Sequence, residues 1–175
     1  MILQLIITLL ITALAVIVVW QTLLARHFPS YIPSNMKLLR QALTQLPLTS
    51  RDRFIDIGSG DGRAVILAAK EFQLTADGIE IAPILCWWSR LRINWAGVAE
   101  KTQIITGDLY QLNLGNYSII YIFGLPQDIQ TWLKTKLDQE LKSGTYVISY
   151  CFSLPGRQPI TTLADRWRKI MIYRF

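Results

Sequence analysis

The sequence predicts an α/β fold in which an open, mostly parallel sheet carries helices on both faces. Short apolar runs alternate with segments of helical periodicity through most of the chain, a pattern typical of βαβ units. A glycine-rich loop, Gly58-Ser59-Gly60-Asp61-Gly62, follows the first of these runs, and the first strand-to-helix turn of such sheets binds ligands. The 175 residues leave room for one domain with a sizeable core.

The first segment is an apolar run from Ile2 to Ala25 with no charged side chain. As a helix it would reach about 36 Å, enough to cross a hydrocarbon core of about 30 Å. We therefore predict a transmembrane anchor over residues 1–25. A signal peptide is one alternative, but no Lys or Arg precedes the run and no small-residue cleavage site ends it. A buried core helix is the other, although few soluble helices of this length are apolar all round.

Charge sets the orientation expected for that anchor. Arg26, His27, Lys37 and Arg40 follow the run, whereas only the terminal amine precedes it, so the positive-inside rule places the rest of the chain in the cytoplasm. The net charge of +6 would then hold a basic face against anionic lipid headgroups. Nucleic acid is the alternative partner, but the basic residues are scattered with no long basic run, so we expect none.

The remaining elements follow in chain order. Residues 26–34 read as a linker and loop, and residues 35–175 as the folded domain. Apolar side chains at helical spacing predict helices over residues 35–46, 62–72, 83–97 and 127–142. Short apolar runs predict strands within residues 53–57, 75–80, 101–108, 118–124, 145–152 and 169–175. Because no strand is recognisable between Phe152 and Lys169, the sheet is expected to be reduced to six strands.

Two further groups of residues are interpreted as core. Trp88, Leu91 and Trp95 fall at helical spacing in the third helix, and we interpret them as core contacts. Cys86 and Cys151 lie far apart in apolar surroundings without a CxxC pattern. We therefore expect two reduced thiols and no metal site.

The glycine loop disfavours two common classes of ligand. A dinucleotide-binding loop would need glycine at position 63, which is Arg63, and a Walker loop would need a Gly-Lys-Ser/Thr ending that is absent. Asp56 precedes the loop and Asp61 lies within it, and carboxylates repel an anion. The loop therefore favours a ligand that carries positive charge.

Two more acids close the next two predicted strands. Glu80 ends the second strand, at about the offset where an acidic residue binds ribose hydroxyls in related sheets. Asp108 ends the third and is placed to accept a hydrogen bond from an adenine amino group. A nucleoside with a cationic tail and no phosphate suits such a site. S-adenosyl-L-methionine is that molecule, and we predict it as the cofactor.

These residues resemble a class I methyltransferase, whose first motif is D-x-G-x-G-x-G. Within that class the chain more closely resembles one branch, the membrane-anchored protein lysine methyltransferases, whose eukaryotic members modify the c-subunit of ATP synthase and the adenine nucleotide translocase. The resemblance covers about residues 31 to 155. It rests on YIPS (31–34), DIGSGDGR (56–63), GIEIAP (78–83), WWSR (87–90), GDLY (107–110), IFGLP (122–126) and SYCFSLP (149–155).

The resemblance implies a role for each part of the site. Asp56, Gly58, Gly60 and Gly62 would hold the methionine moiety, with Asp61 nearby. Glu80 would bind the ribose, and Asp108 with Leu109 the adenine side. Tyr31 and Pro33 would cover the cofactor, and the stretch from Phe123 to Pro126 would line the acceptor site.

The reaction expected is methyl transfer to a lysine of an integral membrane protein, in an apolar pocket whose walls include Tyr31, Tyr110, Phe123 and Phe152. A dry pocket lowers the pKa of the lysine ammonium. No dedicated general base is recognisable. Two alternatives stay open: methylation of a lipid or quinone headgroup, and a cofactor-binding protein without catalysis.

Overall fold

A mixed sheet of seven strands organises residues 34–175, with the strand order β3-β2-β1-β4-β5-β7-β6. The structure is a computed structural model that describes residue 4 and residues 6–15, 34–123 and 133–175. The strands are β1 (Arg53–Ile57), β2 (Thr75–Glu80), β3 (Thr102–Thr106), β4 (Ile119–Ile122), β5 (Tyr146–Tyr150), β6 (Thr161–Ala164) and β7 (Lys169–Arg174). Strands β1 to β5 pair in parallel, and β7 is antiparallel to both neighbours. The predicted α/β fold is confirmed.

The expectation of six strands is wrong, because β6 forms the outer edge of the sheet. This strand has four residues, alternates between half-buried and exposed positions, and pairs only with β7. Two of its four residues are threonines. Since an edge strand buries little, its sequence carries no apolar run that would mark it.

Four α-helices are described among residues 34–123 and 133–175: α1 (Met36–Thr44), α2 (Arg63–Phe72), α3 (Pro83–Ala96) and α4 (Lys134–Glu140). The Asn35 side chain accepts a hydrogen bond from the Lys37 N–H and caps α1. Pro83 occupies the first turn of α3, and Gly97 ends it with a φ of 71°. The predicted helix over 127–142 is described only from residue 133 onward.

The core has one layer on each face of the sheet. Side chains from α1, α2 and α3 pack with Phe54, Ala76 and Tyr121 on one face. Leu133 and Leu137 pack with Ile55, Ile79 and Ile120 on the other. Neighbouring residues of a strand point to opposite faces, so these strands are buried on both sides, as a parallel sheet requires.

The interpretation of Trp88 and Trp95 as core contacts is wrong. Trp88 is 40% and Trp95 72% exposed, whereas Cys86, Ser89 and Ile93 form the buried side of α3. The helix is apolar on both sides, so periodicity could not indicate which side faces the sheet. Cys86 is a buried free thiol and Cys151 a half-buried one.

The chain divides into two compact units, Met1–Pro33 and Ser34–Phe175. In the first unit, the described residues, 4 and 6–15, are helical, and their large apolar side chains are between 47% and 65% exposed. In the described part of the chain, no helix combines the length and apolar character needed to cross a membrane. Residues 1–3, 5 and 16–25 of the predicted anchor (1–25) lie outside the described residues, as do residues 26–33 of the predicted linker and loop (26–34).

Candidate functional site

The loop after β1 is fastened to the end of β2. The backbone N–H groups of Gly58 and Ser59 both donate to the carbonyl oxygen of Ile79, at 2.9 and 3.0 Å. Gly58, Gly60 and Gly62 have φ values of 75°, 53° and 74°, which side-chain-bearing residues rarely adopt. The three predicted glycines therefore form one left-handed turn at the carboxyl edge of the sheet.

Gly62 also lies against helix α3. A Cβ atom added at Gly62 would overlap the Ser89 hydroxyl oxygen and lie 3.2 Å from the Ser89 Cβ. Ser89 is fully buried, and its hydroxyl has no hydrogen-bond partner within the described residues. The third glycine is therefore required by packing as well as by backbone conformation.

Glu80 joins the glycine loop to the start of α3. One carboxylate oxygen accepts a hydrogen bond from the Gly60 N–H and the other from the Ala82 N–H, both at 2.9 Å. The side chain is half-buried at the end of β2. Since each carboxylate oxygen accepts more than one hydrogen bond, Glu80 can hold the loop and still accept from the hydroxyls of a ligand.

Asp56 is a buried carboxyl group in β1, one residue before the end of the strand, and 4% of it is exposed. No group among the described residues donates a hydrogen bond to its side chain. Burial, and then the nearby carboxylates of Glu80 and Asp61, raise the pKa of Asp56 to about 8. A buried acid without a donor is costly when ionised, so this position suits a cationic ligand.

Asp61 has protein partners for its charge. The Arg63 guanidinium donates to it at 2.8 Å, and Arg92 of α3 forms a second ion pair. Arg92 also donates to the Asp61 carbonyl oxygen at 2.9 Å. Asp61 thus links the glycine loop to α3. No pattern in the sequence indicated Arg92, because its partner lies far away along the chain.

Asp108 follows β3 on the same edge. The Gly107 N–H donates to the Glu80 carbonyl oxygen at 3.0 Å, which places the end of β3 beside Glu80. Asp108 is exposed, and it accepts a hydrogen bond from the Tyr110 N–H at 3.0 Å. Leu109 is half-buried and packs against the core of the α4 face. The structure therefore brings Asp56, Glu80 and Asp108 to neighbouring strand ends, as predicted.

Three aromatic rings cluster at the ends of β4 and β5. Phe123 meets Tyr150 edge to face with centroids 4.9 Å apart, and stacks on Phe152 at 6.5 Å. Cys151 between them has a φ of 70°, and this left-handed turn returns Phe152 to the cluster. Tyr150 was not predicted as a site residue. The signal available was the motif SYCFSLP (149–155), which contains Tyr150.

Three other predicted site residues fall in segments that the structure does not describe: two that were predicted to cover the cofactor and one that was predicted to line the acceptor site. Tyr31, Pro33 and Pro126 lie outside the described residues. Tyr110 is described and is 58% exposed, so it forms less of an enclosed wall than was expected. Two of the residues predicted to form aromatic walls, Phe123 and Phe152, contact each other. Tyr150, which was not predicted, also contacts Phe123.

The residues fit S-adenosyl-L-methionine. Asp56 offers a buried carboxyl without a donor among the described residues, the glycine loop leaves its backbone open to close approach, and Glu80 stands at the neighbouring strand end. In a doubly wound sheet the ligand crevice lies beyond these strand ends. The residues that would hold the cofactor are therefore assembled around the crevice.

Comparison with known proteins gives a consistent picture. Residues 56–161 match the family described as the ANTKMT methyltransferase domain. The lysine N-methyltransferase of the ATP synthase c-subunit from Mus musculus is 38% identical over 77% of this chain and 53% of that protein. A protein-lysine N-methyltransferase of Saccharolobus islandicus is 33% identical over 76% of this chain and 82% of that protein.

A solved structure is also similar. An RNA methyltransferase from Salinibacter ruber, in complex with S-adenosyl-L-homocysteine, aligns with a TM-score of 0.78 at 29% identity, covering 82% of this chain and 93% of that one. The chain spans between 53% and 61% of the length of the vertebrate ATP synthase c-subunit methyltransferases that it matches.

Proposed function

The chain belongs to the family of the ANTKMT methyltransferase domain, as its motifs predicted, and on that premise we propose that it transfers methyl groups from S-adenosyl-L-methionine to a lysine of a membrane protein. The observation that carries the proposal is the buried Asp56 carboxyl beside the glycine loop and Glu80. The lysine acceptor is supported by the names of the two relatives described above, both of which are lysine N-methyltransferases.

Each part of the cofactor site has a defined task in this proposal. When bound, S-adenosyl-L-methionine supplies an electrophilic methyl group on a positively charged sulfur. Asp56 faces the cationic end of the cofactor. Because Gly58, Gly60 and Gly62 have no Cβ atoms, the cofactor can lie against the backbone of the turn. Glu80 accepts from the ribose hydroxyls, and Asp108 and Leu109 lie on the adenine side. Asp61 holds the loop in place through Arg63 and Arg92.

The acceptor side has to present a neutral amine, because a protonated lysine has no lone pair. A free lysine has a pKa of about 10.4. The rings of Phe123, Tyr150 and Phe152 form an apolar surface at the strand ends, and desolvation there lowers the pKa of an entering ammonium group. Aromatic faces also tolerate an amine that still carries its charge. Tyr31 and Pro126 complete this surface in the proposal.

The proposal includes attachment to a membrane by the apolar N-terminal segment. The described residues of this segment form a helix whose large apolar side chains are exposed, which supports contact with lipid. With Arg26, His27, Lys37 and Arg40 after the segment, a single-pass anchor would leave the methyltransferase domain in the cytoplasm. An anchor of this kind keeps the enzyme beside integral membrane substrates.

The alternative acceptor is a lipid or quinone headgroup, which the same anchor would make accessible. A protein that binds the cofactor without catalysis is less well supported, because the described parts of the site, from Asp56 to Gly62 with Glu80, carry the residues that binding needs. The fraction in which the transferred methyl group is recovered therefore identifies the class of acceptor.

The test incubates the full chain with host membranes and methyl-labelled S-adenosyl-L-methionine. The membranes are then separated into protein, solvent-extracted lipid and nucleic acid. We expect label in a small membrane protein, on a lysine identified by mass spectrometry. Asp56→Ala should remove the label, whereas Glu100→Ala, an exposed acid in the turn after α3, should retain it.

Other distributions of label have distinct meanings. Label in the lipid fraction would replace the lysine acceptor with a headgroup and retain the cofactor site. Label released by ribonuclease would favour an RNA acceptor, as in the Salinibacter ruber protein named above. No transfer by a chain that binds the cofactor would contradict the enzymatic proposal.

A further inference from the structure

Helix α3 carries an apolar stripe on its outer side that the described residues leave uncovered. Ile84 is 68%, Trp87 56%, Trp88 40% and Trp95 72% exposed. Soluble proteins rarely leave several large apolar side chains together on one surface, and such patches mark interaction sites. We call these four residues the α3 stripe.

The stripe lies opposite the side of α3 that packs on the sheet. The buried residues of the helix are Cys86, Ser89 and Ile93, two of which are small. At 100° per residue, the stripe residues fall on the other half of the helix. The larger apolar side chains of α3 therefore point away from the core, which core packing does not explain.

The tryptophans form one continuous aromatic surface. The rings of Trp88 and Trp95 meet edge to face at 5.7 Å, and those of Trp87 and Trp88 lie 6.5 Å apart. Contacts between these rings fix their orientation without covering them. The stripe is thus a surface already ordered for a partner.

The chemistry of the stripe favours a lipid surface over a protein groove. Tryptophan is enriched where hydrocarbon meets headgroups, because its ring is apolar and its N–H can still donate a hydrogen bond. Helix α3 has no acid that would repel anionic lipid, and its two arginines bind within the fold, Arg92 to Asp61 and Arg90 to the Ile104 carbonyl oxygen. The whole chain carries a net charge of +6, which complements anionic headgroups.

We propose that the α3 stripe docks into the headgroup region of an anionic bilayer, as a second membrane contact in addition to the N-terminal segment. The contact does not depend on which acceptor is methylated. Helix α3 begins directly after β2, where the Ala82 N–H binds Glu80. Docking of the stripe therefore brings the Glu80 end of the crevice close to the membrane surface, where substrates embedded in it are exposed.

The test reads the environment of Trp95 in the full chain. The chain has six tryptophans, and in the test protein the other five, Trp20, Trp87, Trp88, Trp132 and Trp167, are replaced by Phe. The protein is reconstituted in vesicles of phosphatidylcholine and phosphatidylglycerol, with or without lipids brominated near the headgroup. We expect Trp95 emission to shift to shorter wavelength, to be quenched by the brominated lipid, and to lose its quenching by aqueous acrylamide.

Acidic substitutions in the α3 stripe should abolish the quenching of Trp95 by brominated lipid. The N-terminal segment should still hold these variants on the vesicle. In the same background, with Trp87→Asp in place of Trp87→Phe, the added change Ile84→Asp should restore the quenching of Trp95 by acrylamide and end its quenching by brominated lipid. The matched control adds the same charge at Gln158 and Thr162, which are exposed near or on β6, the opposite edge of the sheet. This control should keep the lipid quenching, and thermal unfolding confirms that each variant is folded.

Two results would overturn the proposal. Trp95 that stays open to acrylamide and insensitive to brominated lipid would show a stripe that faces water. Trp95 that is shielded from acrylamide without lipid quenching, increasingly at higher protein density in the vesicle, would identify a protein, such as a second copy of this chain, as the occupant.

Discussion

At the scale of single residues, Gly62 shows how the glycine loop depends on its surroundings. Its left-handed φ of 74° matches that of Gly58, 75°, but the two positions differ in what surrounds them. A Cβ at Gly62 would overlap Ser89 of α3, whereas a Cβ at Gly58 has no neighbour within 4 Å. The pair separates the cost of backbone conformation from the cost of packing.

We expect Gly62→Ala to destabilise the protein more than Gly58→Ala. Both variants place a side chain in a left-handed conformation, which costs about 1–2 kcal/mol. Gly62→Ala must also displace buried Ser89, and overpacking costs a further ~1–3 kcal/mol. Urea unfolding of the two variants measures the difference. If both variants lose the same unfolding free energy, Ser89 does not add a packing cost at position 62.

Asp56 makes stability depend on pH in a direction opposite to that of most carboxylates. Its pKa is raised from about 3.9 in the unfolded chain to about 8 in the fold, mainly by burial. The folded state therefore keeps a proton that the unfolded state has lost. Its stabilising contribution is complete below about pH 4 and is lost as pH rises through 8.

Asp56→Asn should remove this dependence, because the amide stays neutral. We expect the wild-type melting temperature, measured without cofactor between pH 5 and pH 9, to fall relative to that of the variant as pH rises. Glu100→Ala serves as the control and should follow the wild type. Melting temperatures of wild type and Asp56→Asn that change in parallel would mean that Asp56 titrates normally.

At the scale of elements, the start of α1 is tied to the acceptor side of the sheet. Asn35 caps α1, its N–H donates to the Tyr150 hydroxyl at 3.1 Å, and its amide donates to Asp165 at 2.8 Å. Asp165 also accepts from the N–H groups of Trp167 and Arg168 in the turn between β6 and β7. One asparagine thus connects a helix, the aromatic cluster and the edge hairpin.

Asn35→Ala should cost about 1 kcal/mol, the usual effect of losing a helix cap. It should also loosen the β6–β7 turn, since Asp165 loses a partner. Hydrogen exchange of the Trp167 and Arg168 amides, followed by mass spectrometry, measures this second effect. Asn113→Ala, which removes the cap of a short 3-10 turn elsewhere, should leave those amides unchanged. Faster exchange in both variants would contradict a local link.

The same elements show what could be read from the sequence. Strands β1, β2 and β7 were predicted within a residue of their ends. All three are interior strands with four consecutive buried residues, and in β1 and β7 these include an apolar run. Strand β6 was missed because an edge strand of four residues needs no such run. The orientation of α3 was wrong because both of its sides are apolar, and only the position of the sheet decides which side is buried.

In the candidate site, too, local sequence patterns predicted some residues, whereas contacts between distant segments were not predicted. Asp56, the three glycines, Glu80 and Asp108 were predicted because they stand at strand ends, a position that the local pattern encodes. The pairing of Asp61 with Arg92 and the place of Tyr150 beside Phe123 depend on contacts between distant segments. Such contacts have no signature in the spacing of residues along the chain.

At the scale of the whole molecule, an apolar N-terminal segment, a basic domain and an exposed tryptophan stripe are combined in one chain. Each of these features favours a membrane surface for a different physical reason. The first offers hydrocarbon contact, the second attraction to anionic lipid, and the third the interfacial preference of indole. Under the proposed function, these three features would suit acceptors that stay in the bilayer.

The glycine loop and Glu80 form the edge at which S-adenosyl-L-methionine is expected to bind. Calorimetric titration with S-adenosyl-L-homocysteine measures this binding, using wild type, Glu80→Ala and the exposed-acid control Glu100→Ala. We predict that Glu80→Ala weakens binding about tenfold or more, since it removes a charged hydrogen-bond acceptor worth about 1.5–3 kcal/mol, and that the control binds like wild type. Equal affinity of a folded Glu80→Ala protein and wild type would contradict this placement of the cofactor.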